Sequence, residues 1–340
     1  MKLLNLPDFG LVLVFSEIQD PQTLFYLATC SQRCKRLVQA YCNLLVPIQI
    51  EVDIGFKNAI ICHQGDSYCY LVRVQNPSGG QSRFQIWNNN IGDTVFQPSP
   101  PGLYAYLEDP LEGLISYGNL SCAVFNCEID KLSFGKGSNN DYKKAIDWVN
   151  NRQDSVKTFY SNFKSENVDG VGYLISNIRA TQSLSLLIKP ADPSTVLWDL
   201  PYFQTARVHI NPAHWVTRNH LLAMDSERIW LEGSRLNSEN LNEFLGRWTN
   251  GVCLHLKEIR VEIGSGPGVF DFDEVLEGLE VERAAPNQFR KFKGYNGMPA
   301  SLRIDYIIKR HVDGVAAYIE RKYGGKHFWM VTDQMEYLDN

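Results

Sequence analysis

Residues 6–41 carry more apolar surface than helices of their length can hide, and this surplus constrains the rest of the chain. Three helix starts are written into the stretch. Pro7 suits a first turn, where its missing N–H is not needed, and Asp20-Pro21 is a cap followed by a proline at the first helical position. Ser31 caps a third segment whose last turn carries Lys35 and Arg36. The first segment alone holds Phe9, Leu11, Val12, Leu13, Val14, Phe15 and Ile18, apolar nearly all the way round. A unit of about 40 residues buries its own surface poorly, so the excess needs cover from the rest of the chain or from another protein.

In order and spacing these signals resemble an F-box. The corresponding pieces are Leu6-Pro7, the apolar run closed by Ile18, the Asp20-Pro21 turn, Leu24 to Leu27, and Cys30-Ser31. The resemblance implies docking onto the Skp-family adaptor of a cullin-RING ubiquitin ligase. Carried over position by position, it assigns the docking face to Leu6, Pro7, Leu11, Val14, Ile18, Leu24 and Leu27. Gly10 stands where the family usually has an apolar residue and costs a helix about 1 kcal/mol relative to Ala. The third segment lacks the tryptophan often found there. Two rival readings are a secretory leader and a helical cap on the chain's own core. Pro7 and Asp8 interrupt the start of a leader, and no Ala-x-Ala-like cleavage site follows.

With 340 residues the chain should hold about two domains. It is ordinary globular material, 44% hydrophobic and 21% charged, with no apolar run of transmembrane length. A net charge of −5 with acids and bases interspersed argues against a nucleic-acid surface. The 8 cysteines are scattered, which fits free thiols in a reducing compartment, cytoplasm or nucleus, better than a disulfide framework.

Beyond the helical start the period changes. Val46, Ile48, Ile50, Val52 and Ile54 alternate with polar residues, the pattern of a half-buried strand. Strand-like pieces follow at residues 59–62, 68–74 and 84–87, with turn residues at 76–80. Residues 97–102 form a proline cluster read as a surface loop, and 103–137 read as mixed loops and short strands. Residues 141–151 read as a helix with Ala145, Ile146 and Val149 on one face.

Residues 181–263 alternate strand and helix signals. Candidate strands are 184–188, 207–210, 228–231 and 258–263, and aligning Leu186, Val208, Trp230 and Arg260 gives spacings of about 22, 22 and 30, near those of leucine-rich repeats. Thr217 can cap a helix carrying Leu221 and Leu222. Asn237 or Ser238 can cap another with Leu241, Phe244, Leu245 and Trp248 on one face. Such units stack and bury one another. The pieces Trp215-Val216-Thr217, His220-Leu221-Leu222, Asn240-Leu241-Asn242 and Phe244-Leu245 with Trp248 resemble the type 2 F-box-associated domain of nematode F-box proteins, across residues 156–263. Near the end, residues 304–310 and 315–319 flank Asp313-Gly314, the signature of a hairpin with a primed turn. Residues 328–331 read as a further strand and 270–279 as holding a short helix.

Chemical motifs are sparse. The glycines of residues 264–268 follow a strand, but Pro267 removes an amide and no Lys-Ser follows, so the loop is no phosphate cradle. No nucleophile elbow or His-Glu-x-x-His helix occurs. Cys62-His63 with Cys69, and Cys253 with His255, lack the tight pairs of a structural zinc site. Cys30 and Cys34 read as core, and His209, His214 and His220 as structural. The reading is therefore a non-catalytic α+β protein without metal or cofactor. It has a three-helix F-box (1–42), a β-rich region (43–155), a leucine-rich-repeat-like α/β body (156–263) and a C-terminal segment with a β-hairpin (264–340). Its expected partners are a Skp-family adaptor, through it a cullin, and a target protein, with no nucleic acid and no membrane.

Overall fold

The computed structural model describes residues 7, 10, 13–14, 17–18, 20–42, 47–75, 93–98, 101–136, 142–165, 168–190, 204–264, 269–294 and 298–337. Contacts divide the chain into two units, Met1–Asn162 and Phe163–Asn340.

In the first unit, helices α1 (Pro21–Cys30) and α2 (Gln32–Cys42) precede β1 (Ile48–Ile54), β2 (Ala59–Gln64), β3 (Ser67–Gln75), β4 (Asp93–Pro98) and β5 (Pro101–Tyr106). Then come α3 (Pro110–Phe125), β6 (Ile129–Phe134), α4 (Tyr142–Arg152) and β7 (Val156–Ser165). The strand order is β7-β6-β1-β2-β3-β5-β4. β7, β6 and β1 run parallel, β1–β2–β3 form an antiparallel meander, and β5 joins β3 in parallel.

Helix α3 corrects the expectation of loops and short strands across 103–137. Asp109 caps it, accepting from Leu111 N and Glu112 N, with Pro110 in the first turn. Asn126 ends it in the left-handed conformation (φ 51°). Its glycines are packing devices: a Cβ on Gly118 would lie 2.7 Å from Trp148 Cη2 of α4. The proline cluster is also not a plain loop, since β4 and β5 pair across it from Asp93↔Tyr106 to Pro98↔Pro101.

β1 was expected to be half-buried, yet its polar residues Glu51 and Asp53 are each only 5% exposed. Both are satisfied. Glu51 accepts from Lys131 Nζ (2.9 Å) and Ser133 Oγ (2.9 Å) and lies 2.9 Å from His63 Nε2. Asp53 Oδ1 accepts from Phe56 N (3.2 Å) and Lys57 N (2.9 Å). Buried carboxylates persist when they are paired in this way. The expected strand at 84–87 and the turn at 76–80 lie outside the described residues.

The second unit contains α5 (Val168–Asn177), β8 (Ala180–Pro190), β9 (Arg207–Ile210), α6 (Arg218–Ala223), β10 (Arg228–Ser234), α7 (Ser238–Thr249) and β11 (Glu258–Ile263). They are followed by α8 (Phe272–Val275), β12 (Val281–Arg283), β13 (Phe289–Lys293), β14 (Pro299–Arg303), β15 (Tyr306–Lys309), β16 (Ala316–Lys322) and β17 (His327–Thr332). The order is β8-β9-β10-β11-β17-β16-β15-β12, with β13–β14 a separate hairpin. The four strands expected from residues 181–263 are neighbours and parallel. Their register differs from the sequence alignment in part: Val208 opposes Leu184 and Ile229, whereas Trp230 does oppose Arg260.

Thr217 and Asn237 cap α6 and α7 through reciprocal boxes with His220 and Asn240. Helix α7 buries Leu241, Phe244, Leu245 and Trp248. Beyond β11 the sheet turns antiparallel, and the β13–β14 hairpin packs Phe292 and Leu302 with Tyr318, Trp329 and Val331. The turn at Asp313-Gly314 is longer than a two-residue primed turn. β15 and β16 pair last at Lys309↔Ala316, Gly314 N bonds Arg310 O (2.8 Å), and of the two turn residues only Gly314 has positive φ. Arg310, whose side chain is fully buried, donates to both Asp313 oxygens and to Leu254 O and so holds the longer turn in place.

Candidate partner-binding surfaces

The N-terminal helices are set by their caps. Asp20 Oδ2 accepts from Thr23 N (2.9 Å) and Thr23 Oγ1 (2.6 Å), and Ser31 Oγ accepts from Cys34 N (3.1 Å). The pair packs onto its own unit. α1 lies against β3 and α2 against α3, and the Phe25 and Phe125 rings stack at 6.3 Å. Gln22 Nε2 donates to Tyr70 O (2.6 Å), and Gln39 Nε2 donates to Ala123 O. The apolar surplus of residues 21–42 is thus partly covered from within.

Of the seven docking residues assigned from the F-box resemblance, Leu24 is fully buried and offers nothing to a partner. Val14, Ile18 and Leu27 are half-buried and Pro7 is exposed. Leu6 and Leu11 lie outside the described residues. Leu13, absent from that set, is 54% exposed beside Val14.

A second surface is one face of the sheet in the second unit. Strand register places His209, Trp230, Arg260 and Trp329 in a row across β9, β10, β11 and β17. The His209 and Trp230 rings stack at 4.7 Å. The Arg260 guanidinium lies 5.3 Å from Trp230 and 4.0 Å from Trp329. Glu258 Oε1 accepts from Arg260 Nε (2.6 Å) and Trp329 Nε1 (3.0 Å), and Glu232 accepts from Asn211 Nδ2 (2.6 Å) beside His209. Each charge in the row is held by a neighbour, and at its β17 end the row is closed over, Trp329 being 6% exposed and packed against Phe292. Sequence reading named these residues only as strand or core. Their alternation of aromatic and charged types at period two was the available signal.

An open depression of about 500 Å³ is lined by Leu222, Met224, Arg247, Val252 and Cys253. Cys253 donates to Met224 O (3.2 Å), and burial pushes its thiol up to about 11, so it stays protonated and is a poor nucleophile at neutral pH. Cys62 and Cys69 oppose each other across β2 and β3. Among the described residues no group of three or more His, Cys, Asp or Glu could hold a metal ion, and no helix is long and apolar enough to cross a membrane. His220 serves its helix cap, accepting from Thr217 N (3.0 Å), while burial lowers the His214 imidazole.

Residues 202–261, which run from before β9 through α6, β10 and α7 into β11, match the F-box associated family. The matched segment lies within the second unit. Among individual proteins, the chain is similar to the Skn-1 dependent zygotic transcript 15 protein of Caenorhabditis elegans, 24% identical over 238 residues. That alignment covers 68% of this chain and 65% of the relative, a little under two thirds of the relative's length. No solved structure matches.

Proposed function

We propose that the chain is a substrate receptor of the F-box type. Its N-terminal helices engage a Skp-family adaptor, and through it a cullin, while the repeat-like α/β body presents a target protein. The observation that carries this is the F-box associated match at 202–261, placed downstream of the Leu6-Pro7, Asp20-Pro21 and Cys30-Ser31 signals. Transfer of ubiquitin is the work of a separate conjugating enzyme. The receptor contributes effective concentration, holding a target lysine close, and needs no catalytic side chain or cofactor. Its place of action is the cytoplasm or nucleus. The docking face comprises Leu6, Pro7, Leu11, Val14, Ile18 and Leu27, with Leu24 removed because it is buried. The test is co-purification of the full chain with a Skp-family adaptor. Binding should be lost on Ile18→Lys or Leu6→Asp, and its persistence in both variants would refute the assignment.

A second reading has a specific observation in its favour. Leu24, Phe25, Cys34, Leu37 and Val38 are buried within the first unit, and Gln22 and Gln39 tie α1 and α2 to β3 and α3. Helices fixed in this way also suit an interaction scaffold that never joins a ligase. Failure of the adaptor to co-purify with the unaltered chain selects this alternative.

A further inference from the structure

We propose that the face of the first unit's sheet turned away from α3 binds an acidic segment of a partner protein, gripped by Arg73 and Lys57 beside Tyr68 and Tyr70, with the buried Tyr104 holding Arg73 in place. The face follows from strand alternation. Ile60 and Val74 lie against the α3 glycines, within 3.7 Å and 2.9 Å of Cβ atoms built at Gly118 and Gly113. Their neighbours Ile61 and Arg73 therefore point the other way. Tyr70 opposes Ile61, Tyr68 opposes His63, and Tyr104 pairs beside Arg73, so all three tyrosines share that second face.

The cations there are held by rings instead of carboxylates. The Arg73 guanidinium lies 4.1 Å from the Tyr70 ring centroid and 5.8 Å from that of Tyr104, and donates Nη1 to Tyr104 Oη (3.1 Å). Lys57 Nζ lies 5.0 Å above Tyr70 and donates to its hydroxyl. Among the described residues neither forms an ion pair. The nearby carboxylates are buried and already engaged, Glu51 by His63, Lys131 and Ser133, Asp53 by backbone amides. Lys57 is exposed and Arg73 half-buried on this face, with Tyr68 standing 60% exposed beside them. A guanidinium fixed between two rings has lost much of its rotamer freedom before binding, which favours a bidentate carboxylate.

Tyrosines with basic side chains also suit single-stranded nucleic acid. Such ligands are held through many phosphate contacts, whereas this face offers two such cations on a chain of net charge −5. An acidic peptide is the better fit.

The inference goes beyond the receptor reading, adding a first-unit contact to the target surface assigned to the second unit, and its test omits the adaptor so that each can fail alone. Fluorescence anisotropy with the full chain should show saturable binding of a labelled oligoglutamate peptide. Oligolysine and oligouridine of equal length should bind far less. Lys57→Gln and Arg73→Gln should each weaken oligoglutamate about tenfold, the loss of one charge-assisted contact. Tyr68→Ser, at an exposed position, should weaken it by a smaller factor, and Arg303→Gln in the second unit should leave it unchanged. The proposal is overturned if oligoglutamate does not bind, if the first-unit variants bind it as the unaltered chain does, or if oligouridine binds more tightly with the same sensitivity to Lys57 and Arg73.

Discussion

Leu24 and Ile18 were assigned to one docking face, yet the fold gives them different physical roles. Leu24 is fully buried on α1, the helix that packs against β3 and α2, while Ile18 is half-buried ahead of the Asp20 cap. Truncating a core leucine to alanine removes its transfer energy and leaves a cavity, costing about 3 kcal/mol. With a urea slope of about 2 kcal/mol/M, the first unit's midpoint should fall by about 1.5 M. Ile18→Ala, which strips surface still in contact with water, should cost under about 1 kcal/mol. Contacts divide the chain into two units, so a readout local to the first unit resolves this shift better than a whole-chain midpoint. Hydrogen exchange by mass spectrometry on peptides from 20–42 and 110–125 isolates the first unit. Leu24→Ala should accelerate exchange in both segments, and Ile18→Ala in neither, while only Ile18→Ala should weaken capture of the adaptor. Equal protection in the two variants would refute the division into a structural and a docking side chain.

Further outcomes follow from the same packing. Gly118→Ala should destabilise the first unit by about 1–3 kcal/mol, because the added methyl meets Trp148 at 2.7 Å; a shift in tryptophan emission with a lower urea midpoint would show it. Arg310→Ala should cost the second unit about 3 kcal/mol, since it removes a fully buried guanidinium together with its bonds to Asp313 and Leu254 O; differential exchange at 249–256 and 306–322 measures this. Burial pushes the Glu51 carboxyl up, but the hydrogen bond and charge of Lys131, with His63 and Ser133, outweigh it and leave it below the ordinary carboxylate range. Its contribution is therefore present above that range and lost as pH falls through the lowered folded-state value. Urea midpoints measured from neutral to acid pH should show a shallower acid decline in Glu51→Gln. Cys253, held up at about 11, should alkylate with iodoacetamide far more slowly than exposed Cys30 near neutral pH.

Where local chemistry and burial pointed the same way, the fold was legible. Asp20-Pro21, Thr217 and the pair Asn237-Ser238 carry cap chemistry in the sequence, and α1, α6 and α7 begin there, with Asn237 as the cap of α7. The parallel strands β8 to β11 were found because apolar runs alternated with capped helices. Asp109-Pro110 carries the same cap chemistry as Asp20-Pro21, yet α3 was missed. Its faces are apolar or small nearly all round, so no periodicity marks it, and Gly113 and Gly118 imitate a loop. At β1, Glu51 looked solvent-facing because its partners His63, Lys131 and Ser133 are distant in sequence, on β2 and β6, whereas Asp53 is satisfied locally by the Phe56 and Lys57 amides of the following turn. The Tyr70–Arg73 spacing hid their common face, because a register shift between Ile60 and Ile61 interrupts strict alternation. Asp313-Gly314 marked the right hairpin but not its length, which the buried Arg310 side chain holds in place.

The position of β17 bears on how the protein is made. Among the described strands it is the last to leave the ribosome, yet it sits in the interior, hydrogen-bonded to β11 on one side and to β16 on the other. Until it is synthesised, the parallel strands and the antiparallel ribbon are two half-sheets with open edges, the kind of surface that aggregates or recruits chaperones. Premature termination ahead of His327 would therefore not trim the molecule but leave its second half unjoined. Quality control would meet that product as a misfolded chain, not as a shortened working protein.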